Sequence, residues 1–235
     1  MRSSEQRPRV LVNFATSIDG KINPAPGLRH GKFMMSRARE DFRRMLSLRA
    51  TADAVLIGAS NLRADNPDLA IPADEHDRRR AAGIPEPLRI VLTSTGAGIT
   101  PDMRMFDPAR GGKSIIVHAA AMPALERQRL GAVAELAELG GERVAVEDLL
   151  AWLSKRGVAT LLCEGGGNLC AQLFAARAVD QLYVTLVPRI LGGARAPTLA
   201  DGPGFSPDAI PDASLASLER LGDELYLRYD FNWPD

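Results

Sequence analysis

The sequence predicts an α/β protein with a mostly parallel central sheet, helices on both faces of that sheet and a C-terminal antiparallel hairpin. Apolar runs bounded by Gly, Pro and Asp alternate with helical stretches, a pattern typical of α/β sheets rather than of sandwiches. Most of these runs are continuous in Val, Ile and Leu, as expected for strands covered on both faces. With 235 residues, 46% of them hydrophobic, the chain can bury such a core, and we expect one domain over residues 1–235.

Six apolar runs are predicted to be strands of the sheet, and two further segments are predicted to form the hairpin. The six runs cover residues 10–15, 54–57, 89–92, 114–117, 159–163 and 182–187. The hairpin covers residues 213–221 and 224–231 and turns at Gly222-Asp223, a dipeptide that favours tight turns.

Helices are predicted between the strands, over residues 36–49, 123–139, 148–156 and 169–178. We expect Ser36 to cap the first helix, Pro123 to stand in the first turn of the second, and Gly157 to end the third in a left-handed conformation. Two segments are expected to be surface loops. Residues 72–87 carry mixed charges and prolines, and residues 191–211 are rich in Gly and Pro.

Composition excludes several classes of protein. Lys plus Arg equals Asp plus Glu, at 29 each, so no net charge draws the chain to nucleic acid or to an anionic membrane. No stretch approaches the roughly 18 apolar residues of a membrane span, and residues 1–9 lack the apolar segment of a leader. The two cysteines make no disulfide framework, and the three histidines lack metal-ligand spacing. We therefore expect a cytoplasmic protein that binds no metal.

A glycine-rich turn follows the predicted strand at residues 159–163. It reads Glu164-Gly165-Gly166-Gly167-Asn168 and leads into a helix. Glycines let backbone N–H groups approach an anion, and a helix N-terminus adds a favourable partial positive charge, which suggests a nucleotide-phosphate site. The spacing is neither the dinucleotide fingerprint nor a P-loop, so a tight turn without a ligand stays open as the alternative.

Polar loops also follow two other predicted strands, where open α/β sheets place their ligands. One reads Ser17-Ile18-Asp19-Gly20-Lys21, and the other spans residues 58–67 and ends Arg63-Ala64-Asp65-Asn66-Pro67. Taken singly, Lys21 is also consistent with a solvated loop lysine, and Asp65 with a turn-former before the proline.

In this order, four motifs resemble the reductase domain of the bifunctional riboflavin-biosynthesis deaminase/reductase. They are Ser-Ile-Asp-Gly-Lys, Gly-x-x-x-x-Arg-Ala-Asp-Asn-Pro-x-Leu, Glu-Gly-Gly and Val-Pro-Arg-Ile-Leu-Gly-Gly, which together span residues 17–193. The resemblance implies a dihydrofolate-reductase-like fold, NADPH as cofactor and a homodimer. It also implies the reaction, which converts a ribosylamino-pyrimidinone 5′-phosphate to its ribitylamino product by hydride transfer to the anomeric carbon of the open imine.

The resemblance also assigns site residues. It places Lys21, Asp65 and Glu164 around the reacting sugar and the pyrimidine, as the catalytic group. It places Ser36, Arg49 and Asn66 on the substrate. It places the cofactor against two groups of residues: one near the nicotinamide and the adenosine ribose, Gly58, Ser60, Thr93, Ser94 and Thr95, and one in the pyrophosphate-binding turn, Gly165, Gly166, Gly167 and Asn168. For the Thr-Ser-Thr run, an ordinary turn is the alternative.

The chain departs from the family pattern at two places. A basic residue usually follows the leucine of Asp-Asn-Pro-x-Leu by three positions and binds the substrate phosphate, and here that position is Pro72. The usual Trp-Ile-Thr-Ser is here Phe33-Met34-Met35-Ser36, which lacks the threonine hydroxyl. The metal-binding motif of the zinc-dependent deaminase domain is absent from this sequence. Two alternatives therefore stay open: a reductase of another heterocycle such as dihydrofolate, and a nucleotide-binding homodimer without activity.

Overall fold

The computed structural model describes residues 7–25, 36 and 39–233. Contacts between Cα atoms divide the chain into two compact units. The first unit holds Met1–Arg9 and Leu46–Gly166, and the second holds Val10–Met45 and Gly167–Asp235. Each unit is thus built from two separate segments of the chain. The expectation of a single domain over residues 1–235 stays a prediction.

The described residues form nine strands and six α-helices. The strands are β1 (Arg9–Ser17), β2 (Ala54–Gly58), β3 (Leu88–Thr93), β4 (Ser114–His118), β5 (Glu135–Glu138), β6 (Thr160–Cys163), β7 (Gln181–Val187), β8 (Ser214–Leu221) and β9 (Glu224–Asp230). The helices are α1 (Arg39–Thr51), α2 (Ala59–Asp65), α3 (Ala73–Ala81), α4 (Ala124–Gly131), α5 (Val146–Lys155) and α6 (Gly167–Ala175). All eight predicted strands are confirmed, within two residues at each end.

The first unit contains five strands in the order β5-β4-β3-β2-β6, and all of them are parallel. The continuous apolar runs explain this arrangement, because β2 and β4 bury every residue from Ala54 to Ile57 and from Ser114 to His118. Helix α5 adds an apolar face on which Val146, Leu149, Leu150 and Leu153 are buried. The carboxyl ends of β2 and β6 lead into two of the loops picked out from the sequence, the one over residues 58–67 and the glycine-rich turn after Cys163.

The second unit contains β1 paired parallel to β7, with β9 and β8 added antiparallel beyond β7. The closing hairpin turns where the sequence predicts, with Gly222 at φ 62°, a left-handed conformation that favours glycine. The predicted fold class is therefore confirmed, both in its parallel strands and in its antiparallel C-terminal end.

The predicted helix over residues 123–139 is wrong in its second half. Helix α4 ends at Gly131, where the N–H groups of Val133 and Ala134 both donate to the carbonyl of Leu130, and the chain then turns into β5. Ala, Leu and Glu favour helices, but β5 pairs along β4 from Glu135 opposite Ile115 onward. Pairing with a neighbouring strand outweighs such weak local preferences.

The predicted loop over residues 72–87 instead contains α3. Pro72 is the N-cap of this helix, and Asp74 and Glu75 lie in its first turn, where negative charge is favourable. The Arg79 side chain is buried, and its guanidinium donates to the carbonyl of Pro85 at 2.8 and 2.6 Å and to that of Ala50 at 2.8 Å. The mixed charges of this segment predict a solvated loop. The structure shows instead that one of its arginines, Arg79, is buried and anchors a helix through hydrogen bonds.

The first helix is described from Arg39 onward, and the residues that join it to Ser36 lie outside the described part of the chain, so the capping role of Ser36 stays a prediction. The Ser36 hydroxyl donates to the Glu224 carboxylate at 2.8 Å. The departures at Phe33, Met34 and Met35 lie outside the described residues. Within the described part of the chain, no helix is long and apolar enough to cross a membrane, and no three His, Cys, Asp or Glu side chains group as metal ligands.

Replacing Arg79 by Met tests whether α3 is anchored by its buried guanidinium. We expect the free energy of unfolding to fall by about 2–3 kcal/mol, because two buried carbonyl groups lose their charged donor. The matched control is Arg80→Gln on the same helix, since Arg80 is 77% exposed and pairs only with Asp77 at 3.5 Å in the described contacts. The Arg80→Gln substitution should change the free energy of unfolding by no more than about 0.5 kcal/mol. Urea denaturation measures both, and equal midpoints for the two variants would contradict the anchoring role.

Candidate active site

A buried ion pair joins the last turn of α1 to the end of β6. The Arg49 guanidinium donates to both carboxylate oxygens of Glu164, from Nε to Oε1 at 2.6 Å and from Nη2 to Oε2 at 2.7 Å. Its Nη1 donates to the carbonyl of Ala70 at 3.0 Å, and the residue is only 4% exposed. Burial lowers the pKa of Arg49, but the charges of Glu164 and Asp68 outweigh it and raise the pKa above its ordinary value. The Glu164 carboxylate is thereby held in one orientation.

The glycine turn begins directly after Glu164. Gly165 and Gly166 have φ values of 121° and 101°, which residues with a side chain rarely adopt. The N–H of Gly58 donates to the carbonyl of Gly165 at 2.9 Å, and the Asn61 amide donates to the carbonyl of Glu164 at 3.1 Å. The start of α2 therefore fixes the backbone of the turn through two hydrogen bonds.

Asp65 and Asn66 lie at the C-terminal end of α2. Asp65 is the exposed last residue of the helix. Asn66 is left-handed at φ 44°, and its N–H donates to the carbonyl of Leu62 at 2.9 Å. Its side-chain oxygen accepts the N–H of Arg104 at 2.9 Å. The asparagine of the Asp-Asn-Pro motif thus closes its own helix and holds the segment after β3.

Three arginines gather around Asp68, and we call Arg49, Arg104 and Arg110 the arginine cluster. Arg104 Nη2 lies 2.6 Å from Asp68 Oδ2, Arg49 Nη1 lies 3.6 Å from Oδ1, and Arg110 Nη1 lies 3.7 Å from Oδ2. Burial raises the pKa of the Asp68 carboxyl, but the N–H of Ala70 and the three guanidinium groups lower it below its usual range. Asp68 therefore stays ionised among three positive charges.

The hydroxyl groups predicted to meet the cofactor near α2 and β3 have local hydrogen bonds. Thr93 Oγ1 accepts the N–H of Gly96 at 3.0 Å, and Thr95 Oγ1 accepts that of Ala97 at 3.4 Å, so the Thr-Ser-Thr run shapes a turn. Ser60 Oγ accepts from Arg63 Nη2 at 3.3 Å. Ser94 lies between the two threonines and is half-buried. Their contact with a cofactor stays a prediction.

In the second unit, the Ser-Ile-Asp-Gly-Lys motif holds the Gly-rich loop that follows β7. The Asp19 carboxylate accepts the N–H groups of Leu191 at 3.1 Å and of Gly192 at 2.8 Å, and the Ser17 hydroxyl donates to it at 2.6 Å. These donors, led by Ser17, lower the pKa of Asp19 from 3.8 to about 2. Asp19 and Leu191 are 172 residues apart in the sequence, and their hydrogen bond joins the Ser-Ile-Asp-Gly-Lys motif to the Gly-rich loop.

The lysine of the same motif is joined to the same loop further on. The Nζ of Lys21 donates to the carbonyl of Ala196 at 3.3 Å, and Lys21 forms an isolated antiparallel bridge with Thr198. The N–H of Ile22 donates to the carbonyl of Pro197 at 2.9 Å. The loop thus orients the half-buried lysine.

Two residues predicted to bind the cofactor lie in the first turn of α6. A Cβ atom at Gly167 would collide with the Asp201 carboxylate and the carbonyl of Thr198, so the packing of this loop alone requires glycine there. Asn168 is exposed, and its carbonyl accepts the side-chain amide of Gln172 at 3.1 Å. Gly167 therefore has a structural role that the sequence pattern attributed to a ligand.

Ser36 belongs to a buried group of polar residues in the second unit. Glu224 Oε2 accepts from the Ser36 hydroxyl at 2.8 Å and from the Tyr226 hydroxyl at 2.9 Å. Burial and the Glu224 carboxylate raise the pKa of Tyr226 to about 12. A predicted substrate-binding serine is thus held by an acidic side chain that the sequence analysis did not select.

The structure brings some of the predicted residues together and adds others. Within the first unit it joins Arg49 to Glu164 and Gly58 to Gly165 directly. The structure also shows contacts of Asn61 and Asp19, which sequence analysis did not select as site residues although both stand inside the recognised motifs. Asp68 and Arg104 form a further contact, and nothing in the sequence pattern indicates that Arg104 pairs with Asp68.

A model of the RibD C-terminal domain family matches residues 8–227. The chain belongs to this family. Among curated relatives, the 2,5-diamino-6-ribosylamino-4(3H)-pyrimidinone 5′-phosphate reductase of Archaeoglobus fulgidus is 32% identical over 228 residues, which cover 96% of this chain and 99% of the relative. The protein of the same name in Methanothermobacter thermautotrophicus is 32% identical over 226 residues, covering 95% and 98%.

Solved structures show the same fold. A pyrimidine reductase-like protein of Corynebacterium diphtheriae superposes with a TM-score of 0.77 at 19% identity, over 99% of this chain and 95% of that one. The deaminase/reductase of Thermotoga maritima gives a TM-score of 0.73 at 21% identity, over 97% of this chain but only 58% of its own. This chain thus spans little more than half the length of that bifunctional protein.

The carboxyl group of Asp19 should titrate with a pKa of about 2, which a carboxyl-carbon NMR titration measures. Because this value lies below the ordinary 3.8, the contacts of Asp19 stabilise the loop above about pH 4 and are lost as the pH falls toward 2. Replacing Ser17 by Ala removes the strongest donor, so the pKa should rise toward 3.8. Ser154→Ala on α5 is the control and should leave it unchanged. An Asp19 that titrates near 4 in the unaltered protein would contradict the clamped loop.

Proposed function

We propose that this chain is an NADPH-dependent reductase that converts the 2,5-diamino-6-ribosylamino-pyrimidinone 5′-phosphate, or its deaminated uracil counterpart, to the ribitylamino product of riboflavin biosynthesis. The observation that carries the proposal is the Glu164 carboxylate, oriented by buried Arg49 at the start of a glycine turn. The match to the reductase family over residues 8–227 supports the substrate class. The proposed location is the cytoplasm.

The reaction adds a hydride to the anomeric carbon of the open-chain imine and a proton to the imine nitrogen, so the C=N bond becomes CH–NH. A nicotinamide cofactor supplies the hydride when bound, and the protein supplies orientation and the proton. In the proposal Glu164 holds the donor groups of the pyrimidine, because a carboxylate that Arg49 fixes in one orientation has further lone pairs to accept N–H hydrogen bonds. Lys21 binds a sugar oxygen, and Asp65 positions or protonates the reacting group.

The glycine turn fits the pyrophosphate of such a cofactor. Gly165 and Gly166 have no side chain to block the approach of an anion, and the glycine turn leads directly into the N-terminus of α6, where a partial positive charge favours an anion. Gly58, which bonds to Gly165, lies where the nicotinamide end is proposed. Thr93, Ser94 and Thr95 stay the proposed site of the adenosine ribose, with Ser60 near the nicotinamide. The preference for NADPH over NADH rests on the family resemblance.

Oxidation of NADPH, followed by absorbance, tests the proposal with the ribosylamino-pyrimidinone phosphate and with dihydrofolate in parallel. We expect turnover of the pyrimidine and a fall in kcat of about 10²- to 10⁴-fold in Asp65→Ala, if its proton is used in the reaction. Lys21→Ala should lose activity as well.

Asp77→Asn is the control, because Asp77 is an exposed carboxylate on α3 outside the proposed site. It should keep the activity of the unaltered protein. Turnover of dihydrofolate alone would overturn the substrate assignment, and tight binding of NADPH without any turnover would overturn the proposed activity.

We also propose a homodimer that uses the outer face of β8. All eight residues of β8 are exposed, and among the described strands it pairs only with β9. Leu215 and Leu218 lie opposite Tyr229 and Leu227, which are two positions apart, so both leucines stand on one face of the hairpin. An exposed edge strand with apolar side chains favours pairing with another chain, and a twofold axis lets a second copy bring the same strand.

The double variant Leu215→Glu/Leu218→Glu should shift the protein from dimer to monomer, since four buried carboxylates would stand at a twofold contact. Sedimentation velocity measures the mass in solution. Leu125→Glu is the matched control, because Leu125 is the most exposed leucine of the described residues but lies on α4. A variant that stays dimeric would place the contact elsewhere.

A further inference from the structure

The arginine cluster and its carboxylates form a chain of ion pairs that begins at Glu164. Glu164 is bound by Arg49, Arg49 lies 3.6 Å from Asp68, and Asp68 in turn meets Arg104 and Arg110. The first members are buried, whereas the side chains of Arg104 and Arg110 are 54% and 47% exposed. A continuous path of ionic contacts within the first unit thus ends in two arginines that reach solvent.

The two outer arginines share few acceptors. Arg49 donates to Glu164 through Nε and Nη2, and Asp68 is the carboxylate that Arg104 and Arg110 have in common. Arg104 uses one nitrogen on Asp68, and Arg110 approaches Asp68 and Asp107 only at 3.7 and 3.4 Å. A guanidinium carries five N–H donors, so most of the donors of this exposed pair are not used in these contacts. The surface therefore offers an excess of planar, charged donors.

We infer that Arg104 and Arg110 form a binding site for a phosphate monoester. A guanidinium matches the oxygen geometry of phosphate through bidentate charge-assisted hydrogen bonds, and two guanidinium groups together can balance the two negative charges of a phosphate monoester. The site stands next to the Asp-Asn-Pro motif, because the backbone N–H of Arg104 is held by Asn66 at 2.9 Å. This inference rests on the proposed function for its favoured ligand, the 5′-phosphate of the substrate. The 2′-phosphate of NADPH is the other source of the same chemistry.

Two carboxylates beside the arginine cluster hold its outer arginines in place. Asp68 keeps Arg104 in place at 2.6 Å, and Asp107 approaches Arg110 through Nε at 3.4 Å. A dianionic phosphate adds its own charge-assisted bonds on the outer side of both arginines, where solvent is present. Fixing a guanidinium before the ligand arrives reduces the entropy lost on binding.

Steady-state kinetics of Arg104→Gln and Arg110→Gln test the inference in the full chain, with the phosphorylated substrate and its dephosphorylated counterpart, and with NADPH and NADH. We expect KM for the phosphorylated substrate to rise about ten- to hundred-fold with little change in kcat. KM for the dephosphorylated compound should not change. Arg127→Gln is the matched control, because Arg127 is an exposed arginine paired with Glu138 at 2.9 Å on another surface.

The outcomes separate the sources of the phosphate. A rise in KM for NADPH but not for NADH would support a monoester site that serves the cofactor. An equal loss with phosphorylated and dephosphorylated substrate, or no loss in either variant, would overturn the inference. If the unaltered protein does not reduce the pyrimidine, the proposed function is wrong, but the phosphate site can still be tested. Calorimetry with inorganic phosphate does so, because phosphate should bind more weakly to Arg104→Gln and Arg110→Gln than to the unaltered protein and equally well to Arg127→Gln.

Discussion

The ion pair between Arg49 and Glu164 is the contact on which the first unit's polar site depends. An arginine that is 4% exposed needs a partner, because an unpaired buried charge costs several kcal/mol. Stability alone does not explain the pair, since apolar side chains of similar volume usually replace such pairs at no cost. What the pair supplies is a carboxylate of fixed position at the end of β6. A fixed acceptor is what recognition of a planar heterocycle requires.

The second unit uses carboxylates in a different way. Asp19 holds backbone N–H groups of the loop after β7, and Glu224 holds the hydroxyls of Ser36 and Tyr226. Both carboxylates accept hydrogen bonds from groups that the chain must place accurately, and these bonds orient a neighbouring residue that the family motifs select. Lys21 and Ser36 are therefore set by partners far away in the sequence.

The sequence predicts the features that depend on local pattern and misses those that depend on contacts across the chain. Continuous apolar runs predict the strands well, because burial on both faces leaves a clear signal. The sequence does not predict β5 or α3, because β5 depends on pairing with β4 and α3 depends on the bonds of Arg79 to Ala50 and Pro85. Motif residues such as Glu164 were recognised, but the 36-residue separation of Asp68 and Arg104 hides their contact.

Pro72 shows why a departure from the family pattern need not remove a function. This position caps α3 with φ −60° and ψ 153°, and a proline is well suited to the start of a helix because its missing N–H has no helical partner there. A proline at this point offers no cation and no hydrogen-bond donor to a phosphate. A cation for that purpose has to come from another segment that reaches the Asp-Asn-Pro loop. The segment after β3 does so, because Asn66 binds its backbone and Asp68 binds its arginine.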